Sequence, residues 1–147
     1  MEKQNPIEEA KRYLANSKEI LKEKAVKDGD NYTDSKYTRM AGNCMWNGCL
    51  LALKHTLGLH AKRGQRLDIQ DFKTAASKRN KKLLNDVVEG YNIMHLYMGY
   101  DGTKDAAIVL SGIKRMQNII RWCESNAPQP LNGTKTAAKR TRKTKKE

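Results

Sequence analysis

Asp34-Ser35-Lys36-Tyr37-Thr38-Arg39-Met40-Ala41-Gly42-Asn43-Cys44-Met45-Trp46-Asn47-Gly48-Cys49-Leu50-Leu51-Ala52-Leu53-Lys54-His55-Thr56-Leu57-Gly58 is the stretch that decides the fold. Wound into a helix, its centre is apolar on nearly every side, through Met40, Ala41, Cys44, Met45, Trp46, Cys49, Leu50, Leu51 and Leu53. A helix of that kind has to be surrounded by other elements. Asp34-Ser35 can start it, and Gly58 can end it in a left-handed cap. Gly42, Gly48 and Ala52 let neighbouring helices come close, at some cost in helix propensity.

The neighbours are legible on either side. Asn5-Pro6-Ile7-Glu8 reads as a helix start, with Asn5 as cap, Pro6 in the first position and Glu8 completing a capping box. Ile7, Ala10, Leu14, Ser17 and Leu21 then recur in steps of three and four, and the run Val26 to Asn31 ends the helix. After a basic connector, Leu59 to Leu67, Asp68 caps a third helical region running from Ile69 to about Met98. This region is expected to break between Ser77 and Lys82. Leu83, Leu84, Val87, Val88, Tyr91, Met94 and His95 form its apolar face, and Gly99-Tyr100-Asp101-Gly102 makes a turn. A last helix is expected from Thr103 to about Ser125, with Ala106, Val109, Ile113, Met116, Ile120 and Cys123 on one stripe. No segment alternates with a period of two, so no sheet is expected. The prediction is an all-α, up-down bundle of four main helices, or of five if one short helix is added.

Composition changes at Asn126. Ala127-Pro128-Gln129-Pro130 cannot continue a helix, and Leu131 to Glu147 offers one large apolar residue and seven basic ones. Such a segment cannot bury enough apolar area to offset the entropy of ordering it. Residues 1–126 are therefore expected to form the bundle, and 127–147 a disordered basic tail.

The charge is localised. The chain carries a net +13, and the tail, with seven basic side chains and one acidic, holds +6 of it. The stretch Lys54 to Lys82 sets nine basic residues against Asp68 and Asp71, a net +7, so the remainder is neutral. Lys62, Arg63, Arg66, Lys78, Arg79, Lys81 and Lys82 in the patch, and Lys139, Arg140, Arg142, Lys143, Lys145 and Lys146 in the tail, suit a phosphate backbone, where binding releases counterions. The tail has no aromatic residue to stack on bases, so any such binding would be insensitive to sequence. The plainer reading of both segments is a solvated surface.

Little else suggests chemistry. Cys44, Cys49 and Cys123 form no Cys-x-x-Cys pair and read as buried free thiols. His55 and His60 lack partners for a metal site, and no phosphate-binding glycine loop, Glu-x-x-His pair or nucleophile elbow is present. His95, beside Tyr91 and Met94, reads as structural. No catalytic residue, metal or cofactor is assigned, and the protein is expected not to be an enzyme. Arg39, Asn43 and Asn47 stand out, polar residues one turn apart on the most apolar helix. If buried, they need partners from a pocket or a second subunit; otherwise the stripe faces water.

The N-terminus, Met1-Glu2-Lys3-Gln4-Asn5-Pro6, shows no signal peptide, and no apolar run approaches the ~20 residues that span a bilayer. A cytoplasmic protein with no membrane contact is expected.

Asn5 to Leu14, Tyr37-x-Arg39-Met40-Ala41-Gly42-Asn43-x-x-Trp46-Asn47-Gly48, Gly64-Gln65-Arg66-x-Asp68-Ile69 and Gly99-Tyr100-Asp101-Gly102 resemble a bacterial family of small helical proteins with no assigned function. The resemblance spans about residues 5–125 and implies a four- or five-helix bundle without implying an activity. More loosely, the arrangement is similar to HEPN-type bundles, many of them ribonucleases or partners of nucleotidyltransferases. Ribonuclease members carry Arg, four to six residues, then His. Here Arg79-Asn80 begins that motif, but Leu84, Asn85 and Asp86 stand where the imidazole belongs. RNA cleavage thus lacks its general acid or base. The leading expectation is a non-catalytic protein contacting nucleic acid non-specifically. Its rival is a protein-interaction module, either a homodimer or the helical partner of a separate enzyme.

Overall fold

The computed structural model describes residues 5–128, and the basic residues of the tail from Lys139 to Lys146 lie outside them. Helix α1 (Pro6–Ile20) opens on Asn5, whose side chain accepts from the backbone amides of Ile7 and Glu8. It continues into a π-helical turn, Leu21–Ala25. Helix α2 (Ser35–Leu57) starts at Asp34 and ends at Gly58, which takes the left-handed conformation that glycine reaches without a Cβ penalty. Two short helices follow, α3 (Ile69–Ser77) and α4 (Lys81–Gly90). Helix α4 runs on into a π-helical segment, Tyr91–Tyr100, and α5 (Ala106–Asn126) closes the bundle.

These elements run up and down as the hydrophobic pattern requires, with α4 and its π extension serving as the third long rod. Helix α3 is the fifth, short helix, and the break falls between Ser77 and Lys81. There Asn80 turns out of helical geometry and caps α4, accepting from the Leu83 amide at 2.9 Å. Helix α2 is the central element, packed against α1, the π segment and α5. Met45, Leu53, Met94, Met98, Met116 and Ile119 are fully buried around it. A methionine-rich core of this kind fills irregular gaps between helices that do not keep one regular spacing.

The expectation of no sheet needs correcting. Lys27–Asp28 and Asn31–Tyr32 pair as a two-stranded antiparallel ribbon. Four residues are too few to display period two, so the pattern was invisible. The ribbon exists because the chain must reverse sharply between α1 and α2, with Gly29 at φ +66 in the turn. It also ties α5 down: the Tyr32 amide donates to the Lys104 carbonyl at 2.8 Å, and the Ala106 amide donates to the Asp30 carbonyl at 3.0 Å. The expected start of the last helix moves from Thr103 to Ala106, because Asp105 is the residue whose side chain accepts from the amides of Ala107 and Ile108.

The bundle therefore has two ends. The ribbon end holds the α1–α2 and π–α5 connections. The other end gathers the start of α1, the end of α2, the connector, α3 and the end of α5. Lys11 of α1 bonds Glu124 of α5 and holds the two helices together there.

Candidate nucleic-acid interface

At that second end the sequence places its cations by simple local rules. Helix α2 stops at Gly58, and the connector then turns at Gly64 (φ +77), where the Gln65 amide donates to the Lys62 carbonyl at 2.8 Å. Lys62 and Arg63 sit exposed on that turn. The two acidic residues nearby are engaged with backbone. Asp68 accepts from the Asp71 amide at 3.1 Å, and Asp71 accepts from the Asp68 amide at 2.8 Å. This reciprocal capping box starts α3 and places both carboxylates at the positive end of its dipole.

Two troughs flank the connector. One, of about 740 Å³, is lined by Lys54, His55, His60 and Arg66 over an apolar floor that includes Leu50 and Phe72. The other, of about 510 Å³, is lined by His60, Asp71, Lys78 and Arg79. His60, Leu59 and Leu67 line both troughs, so Arg66 and the Lys78–Arg79 pair stand on two flanks of one ridge. Arg79 lies over the Trp122 ring of α5, its guanidinium carbon 5.1 Å from the ring centre. That contact joins the α3–α4 break to the end of α5.

Lys81 and Lys82 are exposed but differ in what surrounds them. Lys82 lies 3.5 Å from Asp86, a carboxylate that is 3% exposed and already accepts from Arg115 at 2.9 Å and Asn118 at 3.3 Å. Part of its field is therefore neutralised. Lys81 stands beside Leu84 and Val88 on the outer face of α4. The ridge thus combines Arg66, Lys78 and Arg79, with Lys62 and Arg63 exposed on the Gly64 turn of the same connector. Lys54 and His60 belong with them although neither is among the residues assigned to phosphate contact from the sequence, since their proximity depends on how the connector folds back over α2. Asn126 ends α5 at this same end, where Ser125 and Trp122 share a small cleft with Asn80. The tail sequence thus leaves the bundle beside the basic ridge.

The polar stripe on α2 is exposed, and its role is local. Arg39 Nε donates to the Tyr100 carbonyl at 3.2 Å and Nη2 to the Asp101 carbonyl at 3.4 Å, while Asn43 Nδ2 donates to the Gly99 carbonyl at 3.4 Å. These donors satisfy carbonyls at the end of the π segment that have no helical partner. A Cβ on Gly102 would lie 2.9 Å from Arg39 Nε, and one on Gly99 would lie 2.3 Å from Asn43 Oδ1. The Arg39–Asn43 stripe and the Gly99–Gly102 turn are therefore two halves of one joint. Asn47 stands exposed beyond it. His95 stacks on Tyr91 with ring centres 5.1 Å apart, and Tyr91 meets Trp46 edge-on at 5.6 Å.

The buried thiols are held neutral. Burial pushes Cys49 well above the ordinary thiol range, reinforced by the neighbouring Cys123, and burial pushes Cys123 up to about 11. Among the described residues, no helix is long and apolar enough to cross a membrane.

Fold and surface together define a small all-α bundle with a basic ridge at the end formed by the connector and α3. The chain belongs to the family described as a domain of unknown function, DUF5618, whose model matches residues 5–125. It is similar to a solved protein of unknown function from Dyadobacter fermentans, at 41% identity and a TM-score of 0.74 over 82% of this chain and 93% of that one. No curated protein matches the chain. Neither match carries the HEPN resemblance.

Proposed function

We propose that this protein is a non-catalytic helical protein that contacts nucleic acid through its basic end, without reading base sequence. The observation that carries the reading is convergence: the basic connector, the α3–α4 break and the exit of the tail, far apart in sequence, meet at one end of the bundle. A double helix presents closely spaced phosphates, and a cluster of exposed cations gains affinity by displacing their counterions. Trp122 is covered by Arg79 and Phe72 is buried, so charge rather than stacking supports contact. The non-catalytic part is supported by His95. It is stacked on Tyr91 and separated from Arg79 by the whole of α4, about 15 Å of helix, so the two cannot act on one phosphodiester.

The test is fluorescence anisotropy of labelled duplex DNA and single-stranded RNA. The titrants are the full chain, a version ending at Asn126, and a full-length Arg66→Glu/Lys78→Glu variant, each at two salt concentrations. The full chain should bind both probes, and both altered proteins should bind more weakly by about tenfold or more. Affinity that is indifferent to these changes and to salt would sink the reading.

A further inference from the structure

The opposite end of the molecule carries a different surface. Between the last turns of α1, the ribbon and the first half of α5 runs an open trough of about 560 Å³. Leu21, Tyr32 and Ile113 line it, and two large apolar side chains, Val26 at 45% and Leu110 at 51% exposure, stand beside them. Lys18, Lys22, Lys27 and Lys114 rim it, and among the described residues no carboxylate lines it. Among the described residues none of these four lysines forms an ion pair. Outside the Lys54–Lys82 stretch and the tail the chain is neutral in sum, so only folding gathers these lysines, from α1, the ribbon and α5, around one apolar floor.

Three features of this trough are unfavourable in the free protein. Apolar area stays wet, four like charges share one rim, and Val26 adopts φ +56, a region that β-branched residues rarely enter. The backbone strain places an isopropyl group at the trough's edge where glycine would fit the turn more easily. An occupant with an apolar stripe flanked by carboxylates relieves the first two together.

We propose that this trough docks an acidic amphipathic helix of a partner protein. Its chemistry calls for apolar residues at helical spacing toward Val26, Leu110 and Ile113, and Glu or Asp on both flanks toward the lysines. A small anionic amphiphile fits less well, because an open trough leaves much of such a ligand in water, whereas small-molecule sites bury most of it. A second copy of this chain fits less well too, since each copy carries a net +13. The inference is independent of nucleic-acid contact at the other end.

The test uses the full chain and a fluorescein-labelled peptide of about five helical turns, with Leu at i, i+3, i+4 and i+7 and Glu on the flanks. A scrambled peptide of the same composition controls for attraction to the tail. The patterned peptide should bind at least about tenfold tighter than the scrambled one, a difference that charge alone does not produce. Leu110→Asp, an exposed change that leaves the core intact, should remove that difference. Lys22→Glu/Lys114→Glu should weaken the acidic peptide and strengthen its Lys-flanked counterpart. Equal binding of patterned and scrambled peptides, or no binding of either, overturns the proposal. So does binding of phosphatidylglycerol vesicles that Leu110→Asp abolishes while the peptides are ignored, which would reassign the trough to lipid.

Discussion

Gly42 shows how much a single atom can decide in this molecule. A Cβ there would lie 2.4 Å from Met98 Cβ and 2.6 Å from the Met94 carbonyl, contacts that backbone and packed side chains cannot yield cheaply. Gly42→Ala is therefore expected to destabilise the fold by about 1–3 kcal/mol despite alanine's better helix propensity. Gly29→Ala, where nothing lies within 4 Å, meets only the positive φ of its turn and should cost less. Thermal unfolding of both variants would check the order. Cys123 makes a second residue-scale prediction. Its thiol ionises near its ordinary 9.0 once unfolded but at about 11 in the fold, so the unfolded chain releases the proton first. Stability is then whole below pH 9 and falls between about 9 and 11, by up to about tenfold in the folding equilibrium per unit. Denaturant unfolding at pH 8 and 10.5 should show a smaller alkaline loss for Cys123→Ala than for the natural chain.

At the scale of elements, Asp86 governs how α4 meets α5. It is buried and takes Arg115 and Asn118 from α5 while Lys82 approaches from its own helix. Removing Arg115 leaves a buried carboxylate without its closest cation, a loss that typically costs about 3–5 kcal/mol. Lys82→Ala removes a partner that is largely in water and should cost under about 1 kcal/mol. Urea unfolding of Arg115→Ala and Lys82→Ala should separate them clearly, and equal effects would show that α4–α5 docking does not rest on this pair. The Arg39–Asn43 joint works at the same scale. It terminates the π segment with side chains from α2, so that two sequence-distant motifs serve one helix end.

For the whole molecule the decisive feature is the separation of two cationic surfaces by the length of the bundle. The basic ridge and the tail exit stand at one end, and the lysine-rimmed trough stands at the other. They should respond differently to salt. Binding of duplex DNA at the ridge is expected to fall linearly in log–log against salt, with a slope of about −0.9 for each phosphate neutralised. Peptide docking in the trough, which also buries apolar area, should keep a salt-insensitive part. Titrating both probes across a salt series on one preparation would show whether the two surfaces act independently.

Sequence alone determined the helices, their caps at Asn5, Asp34, Asp68 and Gly58, the break near Asn80, and α2's central place, because capping and hydrophobic periodicity are local properties. It also located the excess charge and the oddness of Arg39, Asn43 and Asn47. Tertiary structure decided the rest. The four-residue ribbon was too short to carry a period, and the widening of the chain into π turns after Ile20 and Gly90 follows from packing rather than propensity. The meaning of the polar stripe depended on which carbonyls lay across from it. Above all, the gathering of Lys18, Lys22, Lys27 and Lys114 was hidden, because α1, the ribbon and α5 each mix cations with carboxylates along the chain and become a field only where the fold brings one sign together.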